Sequence, residues 1–563
     1  MERTKATNSK GILYLIGGGD EAYNSWSDLI FSHIVEKSNW GTIAVIYYRE
    51  TDDWMCNYFR WLGAKDARHV IISNPQIANH PQTYRHIVEA DGIFIEGGHQ
   101  RHYVENLAGT LAKKALIDAY YGGKIISGTS AGAMILSEIS FVSKNGRVHP
   151  EDLFHNPFLQ SISIQDHFLS LLPNTLIDTH FSERSRLPRL ITLMARYWKE
   201  KKRKIIGIGI DEETVLSIDS DMKASVIGNG TVTFLIPDAS TQIRYEFPKP
   251  PEITNVKIHQ LVAGNRFDFN TNEVIGAIEN APAKTRRNHS LKNPMIFFGA
   301  RCLEKKNGHF SGAINQFYSF VGGTEEPISM LVLPESKEMA MSFMNAIRNR
   351  RPLNIAILSL NDNKQESQLQ APILQKSSCA LLIGQNLAEL IARLRANTPI
   401  AKTFRNRVKA GMSIGFFSDA IKIAGRIAIS GMEVRTEIEE SGNSRCLDGM
   451  NFLKNIILMP NFLDEPPDNP GRIAALFQAL KMYPGYLGIL VDSKAYGMMV
   501  SKGKLRFGGH SSTILINTQQ AMNQTYGDNS GVHEHQDALI GATLHCLHDG
   551  HEFNLDKHEV VQL

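Results

Sequence analysis

The sequence predicts an α/β protein built from two tandem copies of one domain, each a parallel sheet with helices on both faces and an added β-hairpin region. Three observations carry this expectation. Short β-rich runs alternate with longer amphipathic stretches, the rhythm of strand, helix, strand. The second half of the chain repeats the first at nearly constant offsets. At 563 residues the chain is too long for one domain of ordinary size.

In order along the first half, strands are expected at residues 12–19, 42–48, 69–73, 92–98 and 124–128, where β-branched and aliphatic residues run together and end in turn residues. Helices are expected over 25–37 and 106–120, where apolar residues recur at helical spacing. From 204 to 237 the β runs crowd together, and hairpins added at one sheet edge are expected there.

The repeat begins with IHQLVAGNRFDFNTNEV (258–274), which lies over LHCLHDGHEFNLDKHEV (544–560) at an offset of 286 with no gap. At 287, GTSAGA (128–133) falls on GFFSDA (415–420) and FIEGG (94–98) on LLIGQ (381–385). At 281, His180-Phe181 falls on Asn461-Phe462, and GIGIDEE (207–213) on GILVDSK (488–494). The expected division is a first domain over 1–279, a polar linker over 280–294 and a second domain over 295–563.

Composition narrows the function. With 60 basic and 57 acidic residues the net charge is +3, which advertises neither nucleic acid nor an anionic membrane as a partner. The amino terminus lacks an apolar signal core and no window reads as a spanning helix, so a cytoplasmic location is expected. Five scattered cysteines without C-x-x-C spacing fit a reducing compartment. Gly17 to Gly19 lack the rest of a phosphate loop, and nucleotide binding is not expected. Lys199 to Lys204 (KEKKRK) read as a solvated helix end.

The sharpest local signal is Gly128-Thr129-Ser130-Ala131-Gly132-Ala133, where a β run meets a helical one. A serine on such a tight turn needs small neighbours on both sides, and the following helix N-terminus offers N–H groups to a developing oxyanion. The base is expected to be His180, with His167 as a competitor, and the orienting acid Glu212 or Glu213. The chain order Ser, His, Glu differs from that of the α/β-hydrolases, which counts against a lipase or esterase.

In the repeat, the offsets place Phe417 at Ser130, Asn461 at His180 and Ser493 at Glu212, with Ser418 one place along from the elbow. A polar set that disappears as a group while the apolar frame persists is expected of a copy that has given up catalysis. Asp211 is matched by Asp492, as a turn-holding residue would be. Arg184, Arg186 and Arg189 cluster after His180, suited to bidentate capture of a carboxylate. Glu465 and Pro467 stand against the first two, and Arg472 against Arg189. Asp178, replaced by Met459, could complement a basic side chain, and Gln100, replaced by Leu387, lies at a strand end.

GGHQ, GTSAGA, DTHFSERSR-x-x-R and GIGIDEE together resemble the cyanophycinases, serine-type exopeptidases related to the α-aspartyl dipeptidases. In fold the resemblance implies two flavodoxin-like three-layer α/β/α domains, similar to the class I glutamine amidotransferases. It extends over about residues 11–274. It implies hydrolysis of cyanophycin, a poly-aspartate backbone with arginine on each side-chain carboxyl, to β-aspartyl-arginine, with no cofactor. By motif it implies Ser130 as nucleophile, His180 as general base and Glu212 as orienting acid. Gln100, Asp178, Thr179, Arg184, Arg186 and Arg189 would bind substrate, with backbone N–H groups at Gly98 and Ala131 as the oxyanion hole. Thr179 stands where relatives often have glutamine. The family chain is about half as long and resembles a homodimer, which makes an intramolecular pseudo-dimer of the two copies the expected assembly, with a higher oligomer also open.

Two alternatives stay open, and a third is disfavoured. An aspartyl dipeptidase or isopeptidase would use the same triad on short peptides, whereas a glutamine amidotransferase would need cysteine at Ser130. A non-catalytic module binding an acidic or zwitterionic polymer would need no triad at all. No metal is expected: the last 31 residues hold His533, His535, His545, His548, His551 and His558, but no complete ligand set is apparent among them.

Overall fold

The computed structural model describes residues 10–144, 146–245, 250–277, 293–302, 310–322, 326–348, 353–430, 445–463, 471–501, 503–508, 512–526 and 536–561. The chain forms two compact units. One comprises Met1–Ser240, Val256–Asn280 and Met522–Gly541; the other comprises Thr241–Asn255, Ala281–Ala521 and Ala542–Leu563. Two segments therefore lie with the unit of the opposite half of the sequence. Most of the expected linker, 280–292, and the His533–His535 stretch fall outside the described residues.

In the first unit, β1 (Leu13–Ile16), β2 (Thr42–Tyr47), β3 (Asp66–Ile71), β4 (Gly92–Ile95) and β5 (Ile125–Thr129) pair in parallel in the order β3-β2-β4-β5-β1. LYLI and GIFI are buried at every position, because a parallel sheet covered on both faces has no solvent side to alternate with. One face packs on helices Trp26–Lys37 and Trp54–Trp61 through Ile30, Phe31, Tyr58 and Phe59 against Phe94. The first of these helices starts where the Ser25 side chain accepts from Ser27 N. The expected helix over 106–120 is instead two, Gln100–Leu107 and Leu111–Tyr121. Gly109, at φ +72°, breaks the first, and the Thr110 hydroxyl caps the second by accepting from Lys113 N.

Two further sets of strands complete the unit. A parallel pair of contacts joins β6 (Ser137–Ser143), β8 (Leu172–Thr179) and β9 (Ile206–Ile210), with β7 (Ile162–Gln165) antiparallel on β6. The main sheet continues past β1 with antiparallel β10 (Thr214–Ile218) and β11 (Lys223–Gly228). The crowded β runs after 204 are thus not all hairpins at one edge. The chain leaves the β8–β9 sheet at Ile210 and enters the main sheet at Thr214, so residues 211–213 bridge two sheets within the unit.

In the second unit, strands Met295–Phe298, Ile328–Val332, Ile355–Ser359, Cys379–Ile383 and Ser413–Phe417 make a parallel sheet of the same order. Leu453–Pro460 pairs in parallel with Leu487–Val491, as β8 does with β9. Strand register corrects the sequence offset at the elbow. Ile16 stands opposite Thr129, and Phe298 opposite Phe417, so Phe417 answers Thr129 and Ser418 answers Ser130. Gly415 and Gly128 match by residue type alone; in the sheet Gly128 corresponds to Phe416, which stacks on Phe297 with centroids 5.2 Å apart. Among the described residues no helix is long and apolar enough to cross a membrane.

Candidate active site

Ser130 joins β5 to the short helix Ala131–Met134 at φ 51°, ψ −117°, a strained backbone for a residue with a side chain. The turn closes only because its flanks are glycine. A Cβ on Gly128 would come within 2.5 Å of the Gly132 carbonyl carbon, and one on Gly132 within 2.2 Å of the Ile95 carbonyl oxygen. The Ser130 amide donates to Ile16 O at 3.0 Å, which fixes the turn to β1.

The β8–β9 sheet brings the other two groups. His180 follows β8 and Glu212 follows β9, so both side chains rise from strand ends beside the end of β5. Ser130 Oγ lies 2.8 Å from His180 Nε2, and His180 Nδ1 lies 2.6 Å from Glu212 Oε1. A carboxylate can only accept, so Nδ1 carries the imidazole proton and Nε2 accepts from the serine hydroxyl. The competitors stand elsewhere: His167 pairs with Glu138 at 2.8 Å and is largely exposed, and Glu213 accepts from Asn229 Nδ2 at 2.9 Å. Asp211 holds the turn, accepting from Ser182 N, Thr231 N and the Thr231 hydroxyl.

Sequence reasoning missed Gly18. Its Cα faces the imidazole at φ +111°, and a Cβ there would sit 2.3 Å from His180 Cε1. Gly17 O accepts from His180 N and Gly18 O from Glu213 N, so this loop fixes His180 and the segment after β9 together. The signal was the unexplained run Gly17-Gly18-Gly19, whose function is close approach to a ring rather than to a phosphate.

Burial holds the His180 pKa below its ordinary 6.5, the Glu212 hydrogen bond opposes that, and the Arg184 and Arg186 charges reinforce it. Burial, with the Asp211 carboxylate next to it, pushes Glu183 well above the usual carboxylate range. Native Glu183 therefore keeps a proton that the unfolded chain releases near its ordinary 4.5, and stability falls as pH rises from there toward the raised value. Glu183→Gln is expected to flatten that decline, read by urea unfolding at about pH 5 and about pH 9. Parallel slopes for variant and parent would contradict it.

Beside Ser130 is a depression of about 170 Å³ lined by Gly98, Ala131, Gln100, Arg184, Arg186 and Arg189, and also by Arg147, which sequence reasoning did not select. Gln100 Nε2 donates to Ser140 Oγ at 3.2 Å. Arg186 and Arg189 converge on Asp178: Arg189 Nε donates to Oδ2 at 2.8 Å, Arg189 Nη2 to Oδ1, and Arg186 Nη1 to Oδ1 at 3.2 Å. These guanidinium charges hold Asp178 below the usual carboxylate range although burial opposes them. Arg186 Nε is buried without a partner among the described residues.

Two expected pocket residues are placed otherwise. Asp178 is fully buried with both oxygens engaged, so it orients arginines and does not meet a substrate's basic side chain. The Thr179 side chain is buried and does not line the depression; its carbonyl accepts from Arg186 Nη1 at 2.5 Å.

The second unit keeps the backbone frame with different side chains on it. Ser418 (φ 57°) and Asn461 (φ 56°) repeat the backbone of Ser130 and His180 (φ 47°). Asn461 Nδ2 donates to Ser418 Oγ at 3.2 Å, and its Oδ1 accepts from Ala300 N. Register makes Ala300 the counterpart of Gly18 and Ser493 that of Glu212. Next to Ser418, Asp419 pairs with Lys422 at 3.0 Å and Arg472 at 3.1 Å. Arg472 also donates to Pro460 O, the contact that Arg186 makes with Thr179 O, so by its bond it answers Arg186 and not Arg189. Glu465 and Pro467 lie outside the described residues.

Residues 52–226 match the model of peptidase family S51. A cyanophycinase of Synechococcus elongatus is 29% identical over 220 residues, 38% of this chain and 64% of the relative. One of Geminocystis herdmanii is 27% identical over 231 residues, 40% of this chain and 80% of the relative. The chain thus spans 64% of the length of the first of these relatives. The crystal structure of a peptidase from an acI-B1 Actinobacterium shares 19% identity, with 46% of this chain and 98% of that one covered at a TM-score of 0.33. Over residues 52–226 the chain is therefore similar to peptidase family S51, and its relatives there are cyanophycinases.

Proposed function

We propose that the first unit is a serine-type exopeptidase that hydrolyses cyanophycin to β-aspartyl-arginine. The observation that carries this reading is the line from Ser130 Oγ through His180 to Glu212 at 2.8 and 2.6 Å. Ser130 attacks the carbonyl as its proton passes to His180 Nε2, which then delivers it to the leaving amine. Glu212 keeps the imidazole in the tautomer this requires and stabilises the imidazolium. Amides at Gly98 and Ala131 border the depression beside Ser130 and supply the oxyanion hole. A substrate carboxylate is taken by Arg184, with Arg186 adding positive charge to the same wall. The second unit, with Asn461 and Ser493 at the base and acid positions, is non-catalytic.

Purified protein incubated with cyanophycin tests the reading, with soluble products identified by mass spectrometry. Release of β-aspartyl-arginine is expected. Cleavage of short aspartyl peptides alone would replace the polymer with a dipeptide substrate, and no cleavage of either would favour a binding module.

The position of His180 sets a pH expectation. The base must be neutral, and burial lowers its pKa, so the acid limb of kcat/KM is expected below pH 6.5. Glu212→Gln removes the group that favours the imidazolium, which should move the limb lower still and cut kcat by about 10²- to 10⁴-fold. A limb that rises or stays put in that variant would show that Glu212 does not act on His180.

A further inference from the structure

The second unit holds a cluster that this reaction does not use. Glu252 is buried in strand Glu252–Leu261, and His548 and His551 follow strand Gln536–Leu547. One donor atom from each lies within 4.8 Å of the other two. His551 Nε2 is 3.0 Å from Glu252 Oε2. On the far side of each ring, His551 Nδ1 lies 3.0 Å from the His548 carbonyl and His548 Nδ1 lies 2.8 Å from the Asp549 carbonyl.

A carbonyl oxygen can only accept, so both rings carry a proton on Nδ1 and Nε2 is the basic nitrogen of each. Backbone carbonyls fix the tautomer of metal-bound histidines in this same way. Two adjacent ligands on an ion with bonds of about 2.1 Å stand about 3.0 to 3.4 Å apart, a range that includes the Glu252–His551 spacing.

We propose that Glu252, His548 and His551 bind one divalent transition-metal ion, with zinc as the fitting member of that class. Two imidazole nitrogens and one carboxylate oxygen suit zinc better than magnesium or calcium, which favour oxygen throughout. A cavity of about 110 Å³ adjoins Glu252 and His551, with Gln242, Asn255 and Arg244 on its wall. It leaves room for a ligand from solvent, and Arg244 can balance an anionic one. The sequence hid this set because its carboxylate lies far upstream of the histidines. The rival description is an ion pair of Glu252 with protonated His551, which has no use for His548.

The test is zinc titration of the full chain after dialysis against a chelator, by calorimetry and by competition with a chromogenic chelator. One equivalent is expected to bind. His548→Ala and Glu252→Gln should each weaken it at least about tenfold, while His533→Ala/His535→Ala leaves it unchanged. Zinc should also raise the melting temperature of the parent but not of His548→Ala. Absence of binding, or binding indifferent to His548→Ala and lost with His533 and His535, would overturn the site and leave the ion pair as the whole account.

Discussion

Ser130→Ala is expected to lower kcat for β-aspartyl-arginine release by about 10⁶-fold, the scale on which a triad fails when its nucleophile is lost. Melting temperature and substrate affinity should barely move. The hydroxyl is half-buried and its bond is to His180, whose own place is held by Gly17 O and Glu212. Alanine meets the same φ of 51° at the elbow, so the substitution neither relieves nor adds backbone strain. The depression with Arg184 and Arg186 remains, and the variant should still take up substrate, measurable by calorimetry with a non-cleaved peptide. Turnover within tenfold of the parent would dismiss Ser130 as nucleophile.

The second large effect is expected far from any reacting atom in sequence. Gly18→Ala should reduce kcat by at least about 10³-fold, since a base displaced by about 1 Å already costs 10²-fold and its full loss far more. The new methyl group would overlap Cε1, Nε2 and Nδ1 of His180, all within 2.8 Å of it. Neither the loop nor the ring has an easy retreat, because Gly17 and Gly18 carbonyls are bonded to His180 and Glu213. In the second unit alanine occupies this place beside Asn461, a side chain short enough to share it. Proton NMR of the imidazole Nδ1–H would register the displacement directly. An unchanged resonance with normal turnover would show that the loop yields.

The Ser130–His180 pair was legible because its signals are local: small residues must flank a serine on a tight turn, and His180 lies at the end of an apolar run. The choice between Glu212 and Glu213 was not, since the two sit where the chain passes between sheets and only the path decides which one turns back to His180. Asp178 and Thr179 looked equally available by sequence. β8 is buried on both faces from Thr175 to Thr179, so proximity along the chain to His180 placed neither in the depression. The elbow of the second unit was misaligned by one residue because glycine at 128 and 415 is a match of type, whereas hydrogen-bonded register is what fixes position. The α/β rhythm itself was legible; that β9 and β10 belong to different sheets was not, because nothing in a strand's composition names its neighbour.

The left-handed backbone of Ser130 and His180 recurs at Ser418 and Asn461, where an amide stands in place of the imidazole. Positions of this kind cost about 1 to 3 kcal/mol each, and both units bear that cost. The strain is thus a property of the chassis, imposed by how a strand must reverse into the segment after it. Asn461, Ala300 and Ser493 are what separate the second unit from the side-chain arrangement at Ser130, together with the ion pairs of Asp419. All of these are side-chain differences on a backbone already in position, so building the first unit's arrangement there would be a matter of substitution and not of refolding.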